Sequence, residues 1–193
     1  PVTLNGNPPP TGTVELTPGD VITFRITYTL PTSDVEDLYL MDYLPLPIFD
    51  ATEVATFTAS VSATAPAAGY AHFGPSDTFY NYSSIVPTIT VSGGQNSVRF
   101  YYGYFDGTQN TLKTVDILFS VTVNNNPFAD RLYLTNQARA FEDSTNSDDQ
   151  DVNEIVQMIL TEPYLVHEKG AIASDNPNAI FNPLPVGPVS FTL

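Results

Sequence analysis

The chain has 193 residues, which at ~150 residues per domain corresponds to about 1.3 domains, so one large all-β domain or one ordinary domain plus a fragment. Only 14% of residues are charged, well under the ~25% usual in soluble proteins, which leaves too few wet-face residues for a helical bundle. The 21 acidic and 6 basic residues give a net charge of −15, which repels phosphate backbones and anionic lipid and excludes nucleic acid as a main partner.

No apolar run approaches ~18 residues, so no membrane insertion is expected. No basic n-region with an apolar core opens the chain at Pro1, so no signal peptide is visible; one removed earlier is compatible with this start. Cysteine is absent, which removes disulfides, thiolate nucleophiles and cysteine-ligated metals.

The first ten residues read as an extended Pro-rich lead-in, because Pro8, Pro9 and Pro10 cannot donate to a ladder. Thr17-Pro18-Gly19-Asp20 is a turn signal. Ile22, Phe24, Ile26, Tyr28 and Leu30 then alternate with Thr23, Arg25, Thr27 and Thr29, the pattern of a half-buried strand. Leu38, Leu40 and Leu44 share a face with Asp42 and end at Pro45-Leu46-Pro47. Ala51 to Tyr82 is irregular and predicts one strand near Phe57–Val61 followed by a long loop.

Val98, Phe100, Tyr102 and Tyr104 form one face of a further strand. Val115, Ile117, Phe119, Val121 and Val123 form another, with Asp106-Gly107 between the two as a hairpin signal. Leu132 to Phe141 predicts a strand with Leu132, Leu134, Asn136, Ala138 and Ala140 inward. Glu142 to Asp151 is acidic and reads as a loop. Val152 to Leu160 favours strand through its β-branched residues. Tyr164–Lys169 and Val189–Leu193 read as short strands of a turn-rich tail. The expected organisation is a β-sandwich module over 1–161 and, over 162–193, a junction leading into a next repeat or a strand-exchange tail.

Four segments resemble, in order, the motifs of a known family. Thr17-Pro18-Gly19-Asp20-Val21-Ile22-Thr23-Phe24 is similar to the opening "pGd-x-v-t-y" of repeat modules in large bacterial surface proteins. Leu40-Met41-Asp42-Tyr43-Leu44-Pro45 is similar to their "v-t-D-t-L-P", and Leu134-Thr135-Asn136-Gln137-Ala138 to their "l-x-N-x-A". Thr161 to Lys169 is similar to their "v-x-E-P-x-L-x-x-x-K" junction. The chain therefore resembles the conserved-repeat and fimbrial isopeptide-forming domains of adhesins.

The resemblance implies an immunoglobulin-like antiparallel β-sandwich, extracellular placement at a cell surface, and a structural or adhesive role. It also implies that Asn136 matches an isopeptide acceptor and Asp42 the assisting acid. The donor lysine is missing, since no Lys lies between Pro1 and Leu112; Lys169 matches the donor of a following repeat, and Lys113 opens a strand elsewhere. No intramolecular isopeptide bond is expected, and Asn136 and Asp42 are expected to bond to backbone groups.

Among hard-ligand sites, the acidic stretch offers Asp143, Asp148, Asp149, Asp151 and Glu154 as candidate Ca2+ ligands. An EF-hand is excluded, because Asp148 stands where the turn needs glycine and no helices flank it. A second carboxylate set is Asp34, Glu36 and Asp37. His72, in a Gly-flanked loop, and His167 stand alone, and neither a zinc-protease nor a nucleophile-elbow motif is present, so no enzyme is expected. Tyr80, Tyr82, Tyr101, Tyr102 and Tyr104 cluster in sequence, with Tyr101 the best candidate for an exposed contact. Asn81-Tyr82-Ser83 is the one glycosylation sequon. Three functions follow as expectations: a non-enzymatic repeat of a surface adhesin or stalk contacting neighbouring repeats, a self-assembling filament subunit joined to identical subunits by β-strand complementation, and a module binding a surface glycan.

Overall fold

The computed structural model describes residues 2–162 except 56, 63, 65, 109, 127, 145 and 146; the side chains of 57–62, 75, 143, 144 and 147–150 also lie outside the described residues. The chain divides after Glu162, and the predicted tail strands Tyr164–Lys169 and Val189–Leu193, with His167 and Lys169, fall outside the described residues.

Eleven strands are described: β1 (Thr3–Leu4), β2 (Val14–Leu16), β3 (Val21–Leu30), β4 (Val35–Tyr43), β5 (Phe57–Ser62), β6 (Gly69–Phe73), β7 (Thr88–Ser92), β8 (Ser97–Phe105), β9 (Lys113–Thr122), β10 (Leu132–Ser144) and β11 (Ser147–Leu160). One helical turn and a half, α1 (Thr78–Ser83), interrupts them, with short 3-10 turns at Ala51–Ala55 and Gly74–Ser76. One sheet runs β1-β3-β9-β6-β5 and the other β2-β11-β10-β4-β8-β7. All pairings are antiparallel except β5 with β6 and β2 with β11. The described residues form a two-sheet, mostly antiparallel β-sandwich, the architecture expected from the sequence.

Alternation builds this arrangement. On β3, Ile22, Phe24 and Ile26 are buried while Arg25 and Thr27 are exposed. The strand starts where expected because Pro18 and Gly19 turn the chain: Asp20 N–H reaches Thr17 O at 3.1 Å, and Gly19 takes φ +87°, a conformation that favours glycine. Within one sheet Phe24 stacks on its cross-strand partner Phe119 at 5.4 Å, and Phe100 from the other sheet meets Phe119 at 6.0 Å and Tyr70 at 5.4 Å across the interior. Truncating a fully buried phenylalanine such as Phe100 costs about 4 kcal/mol through lost burial and the cavity left behind.

Four expectations are corrected. The Asp106-Gly107 signal does not make a hairpin: β8 pairs with β4 and β7, and β9 with β3 and β6, so this loop carries the chain from one sheet to the other. There Gly107 N–H donates to Asp34 Oδ1 at 2.9 Å, and a Cβ on Gly107 would sit 3.1 Å from Ser33 O. Tyr104 is not inward but 60% exposed, because Gly103 at φ +71° and a register shift beside it reverse the alternation and bury Phe105 instead.

The region after Ala51 holds β6 and α1 besides β5, and His72 lies on β6, fully buried, rather than in a loop. Glu142–Ser144 and Ser147–Asp151 are also strand: β10 and β11 pair from Glu142↔Gln150 to Ser144↔Ser147 with a register shift between those two pairs, a ladder whose backbone pairing overrides its polar composition.

Candidate functional site

Two buried polar centres sit in the sandwich. The first joins β4 to β10. Asp42 and Asn136 both point inward, as the sequence pattern predicts, and are 1% and 3% exposed. They bond to each other rather than to backbone: Asn136 Nδ2 donates to Asp42 Oδ2 at 2.9 Å. Among the described residues Asp42 Oδ1 and Asn136 Oδ1 have no hydrogen-bond partner. Burial pushes the Asp42 carboxyl up to about 7, against the lowering effect of the Asn136 amide. A protonated Asp42 gains a donor, and the Asn136 carbonyl is the natural acceptor for it.

A cavity of about 80 Å³ adjoins this pair, and β3 contributes Phe24, Arg25 and Ile26 to its wall. None of the three is a lysine. Lys113 lies elsewhere, its Nζ donating to Thr111 Oγ1 at 2.9 Å and sitting 4.4 Å over the Tyr82 ring.

The second centre is built on β6 and α1. His72 Nδ1 and Asp77 Oδ2 are 2.7 Å apart, and both residues are fully buried. The other Asp77 oxygen accepts the Tyr80 backbone N–H at 2.8 Å and so caps α1. Tyr80 stacks on the His72 ring at 4.0 Å, and Phe79 packs edge-on to Tyr102 and Phe105. Sequence reasoning missed this pair: the i, i+5 spacing across a strand end and a helix cap belongs to no motif.

A third acid, Asp116 on β9, is fully buried and takes a bidentate grip from Arg25 on β3, at 2.8 and 2.5 Å. The Asp116 hydrogen bond and charge raise the Arg25 pKa against its own burial. Between the sheets the Tyr28 hydroxyl bonds to Glu142; burial, then the Glu142 charge, lifts Tyr28 to about 12. Burial also raises Glu142, while the Tyr28 hydroxyl pulls it down.

Of the candidate Ca2+ ligands, Asp151 pairs with Arg139, and Glu154 is exposed on β11; the side chains of Asp143, Asp148 and Asp149 lie outside the described residues. In the second set Asp34 bonds to Gly107, and Glu36 and Asp37 lie on β4. Among the described residues no three His, Cys, Asp or Glu side chains converge as a metal site. Tyr101 is 37% exposed, as expected, with the Arg99 guanidinium 4.7 Å over its ring. No helix among the described residues is long and apolar enough to cross a membrane.

No family model matches the sequence, and no curated protein matches it. Several solved structures are similar in fold. The major pilin subunit BcpA of Bacillus cereus is 12% identical, with a TM-score of 0.49 over 82% of this chain and 39% of its own, so this chain spans well under half of that pilin. The Enterococcus faecalis MSCRAMM ACE is 11% identical, with a TM-score of 0.45 over 76% of this chain and 50% of its own. The collagen-binding domain of a Staphylococcus aureus adhesin is 14% identical, with a TM-score of 0.35 over 69% of this chain and 87% of its own.

Proposed function

We propose that this chain is a non-catalytic structural module of a bacterial cell-surface adhesin or stalk, placed outside the cell and contacting neighbouring modules. One observation carries the reading. Among the described residues the interior polar clusters formed by His72, Asp77, Asp116, Asp42 and Asn136 are buried and engaged with one another or with Arg25. A catalytic site needs such groups converging on space a substrate enters. Here they tie strands together, which suits a spacer that must keep its shape. The family resemblance of the strand-forming motifs supports the same reading. Antibodies raised against the whole chain test it on intact, unpermeabilised source cells. Labelling of the intact surface is expected, and labelling only after permeabilisation overturns the proposal.

A further inference from the structure

The segment around β1 folds back on itself before the chain enters β2. Leu4 N–H donates to Asn7 O at 2.8 Å and Asn7 N–H to Leu4 O at 3.0 Å, so Asn5 and Gly6 form a two-residue hairpin turn. Both take positive φ, +50° and +76°, the geometry that selects an asparagine–glycine pair at such turns. Asn5 also fastens this hairpin to the start of β3. Its N–H donates to Val21 O and its Oδ1 accepts Val21 N–H, both at 2.8 Å, while its Nδ2 donates to Asp20 Oδ1 at 2.7 Å. Asp20 is held in place for this, because its Oδ2 accepts from both Thr17 N–H and Thr17 Oγ1. Besides Asn5, the attachment consists of the pairs Thr3↔Thr23 and Leu4↔Ile22 and a Val2 N–H bond to Thr23 O. One residue thus carries much of it.

That residue is chemically labile. In an asparagine–glycine pair the glycine nitrogen can attack the asparagine amide carbon, since no Cβ crowds the approach. Asn5-Gly6 is the sole such pair in the 193 residues. Both residues are exposed, the Gly6 nitrogen donates to nothing among the described residues, and nothing lies within 4 Å of where a Gly6 Cβ would sit. At the related pair Asp106-Gly107 the glycine nitrogen is instead held by Asp34 Oδ1 at 2.9 Å, and the space beside Gly107 is filled by Ser33 O. The bonds to Asp20 and Val21 restrain the Asn5 amide, so attack waits for local opening of the hairpin, and a two-residue strand opens readily.

We propose that Asn5-Gly6 is a self-modification site whose conversion releases the N-terminal hairpin from β3. Gly6 N attacks Asn5 Cγ; the new N–C bond forms, the Cγ–Nδ2 bond breaks, and ammonia leaves with the Gly6 proton. Water then opens the cyclic imide at either carbonyl and leaves aspartate or isoaspartate at position 5. No electrons are transferred, and water is the one co-reactant. Either product puts a carboxylate where the amide donated to Asp20, and like charges at that distance repel. Isoaspartate also lengthens the backbone by one carbon, which a two-residue turn does not absorb. The reaction is irreversible, so a converted chain presents the β3 edge uncovered at Ile22 and Thr23. β1 also divides two grooves, one of about 360 Å³ walled by Val2, Arg25 and Phe73 and one of about 450 Å³ walled by Asn5, Val21 and Pro66; Thr3 and Gly6 border both, and release joins them. The structural role proposed above holds whether or not Asn5 is converted.

The test ages the full chain at mildly alkaline pH and physiological temperature. Peptide mapping follows Asn5, with a urea-unfolded sample as the reference. Fresh chain should be intact at Asn5. Folded chain should convert there, more slowly than the unfolded sample, and Asp20→Ala, which frees the Asn5 amide, should narrow that gap. In the converted chain the Val21 amide should exchange about tenfold or more faster, the scale of one charge-assisted hydrogen bond, while the Phe119 amide in the core strand keeps its protection. Asn5→Asp should show the same fast exchange without ageing. Asn5→Asp combined with Asp20→Asn restores one amide and one carboxylate and should recover slow exchange. The proposal is overturned if Asn5 stays intact in the aged folded chain or if another asparagine converts first. It is equally overturned if the converted chain keeps the original Val21 exchange, or if the double variant exchanges as fast as Asn5→Asp alone.

Discussion

Asp77 and Asp42 are equally buried, yet the fold treats them differently. Asp77 uses both oxygens, one on His72 and one on the first turn of α1. Asp42 uses one, on Asn136, and its other oxygen has no partner among the described residues. The first acid fastens a strand to a helix. The second lies beside a cavity and is raised by burial to about 7. Partner count, more than depth, decides whether a buried carboxylate acts as a fastener or as a proton-binding group.

The sharpest way to break this contrast is Asp77→Ala. It strips His72 of its partner and α1 of its cap together, so a loss of about 4 kcal/mol in urea unfolding is expected. A loss under about 1 kcal/mol would mean that the pair is not a fastener.

Asp42 should instead show itself through pH. Its folded pKa of about 7 lies above the reference 3.8, so the native state holds the proton more tightly than the unfolded chain. That stabilisation is complete below the unfolded value and is lost as pH rises through the folded value. Between about pH 5 and 8 the chain should lose about 3 kcal/mol from this group. Glu142, also raised, adds a loss of the same sign. Asp42→Asn should flatten the profile and be the more stable form at alkaline pH, because its amide offers a donor to Asn136. A wild-type profile that is flat across this range would show Asp42 to be ionised throughout.

Arg25→Ala leaves Asp116 buried without its cation. Since Arg25 is about one-third exposed, the expected cost is smaller, about 2 kcal/mol by urea unfolding. Arg139 makes the same kind of forked contact with Asp151, but on the surface. Arg139→Gln should leave the unfolding midpoint unchanged within error, and a clear shift would show that the β10–β11 ladder depends on that pair.

What the sequence revealed followed from local periodicity. Ile22, Phe24, Ile26 and Leu30, and Val115, Ile117, Phe119, Val121 and Val123, lie inward as read, while Thr23, Asp116, Leu118 and Ser120 on the opposite faces are buried as well. The inward placement of Asp42 and Asn136 came from the same rule. Their bond to each other did not, because alternation gives a residue's face and not its neighbour on the next strand.

The errors share a cause. Asp106-Gly107 is turn chemistry, and turn chemistry does not say whether the next strand joins the same sheet or the opposite one. Gly103 breaks the alternation by a positive φ that no neighbouring residue announces, so Tyr104 and Phe105 exchanged faces. Glu142 to Asp151 was read by composition, although a ladder needs only backbone groups. His72 and Asp77 meet through tertiary packing of a five-residue strand against a six-residue helix, which leaves no periodic trace.

The account depends most on Asp42 and Asn136 being a non-covalent pair: the inert interior and the pH profile both require the two side chains intact. Intact-mass spectrometry of the folded chain tests this directly. The account predicts the mass of the 193-residue sequence with nothing removed. Loss of one ammonia, with Asn136 found in a cross-linked peptide after digestion, would contradict it.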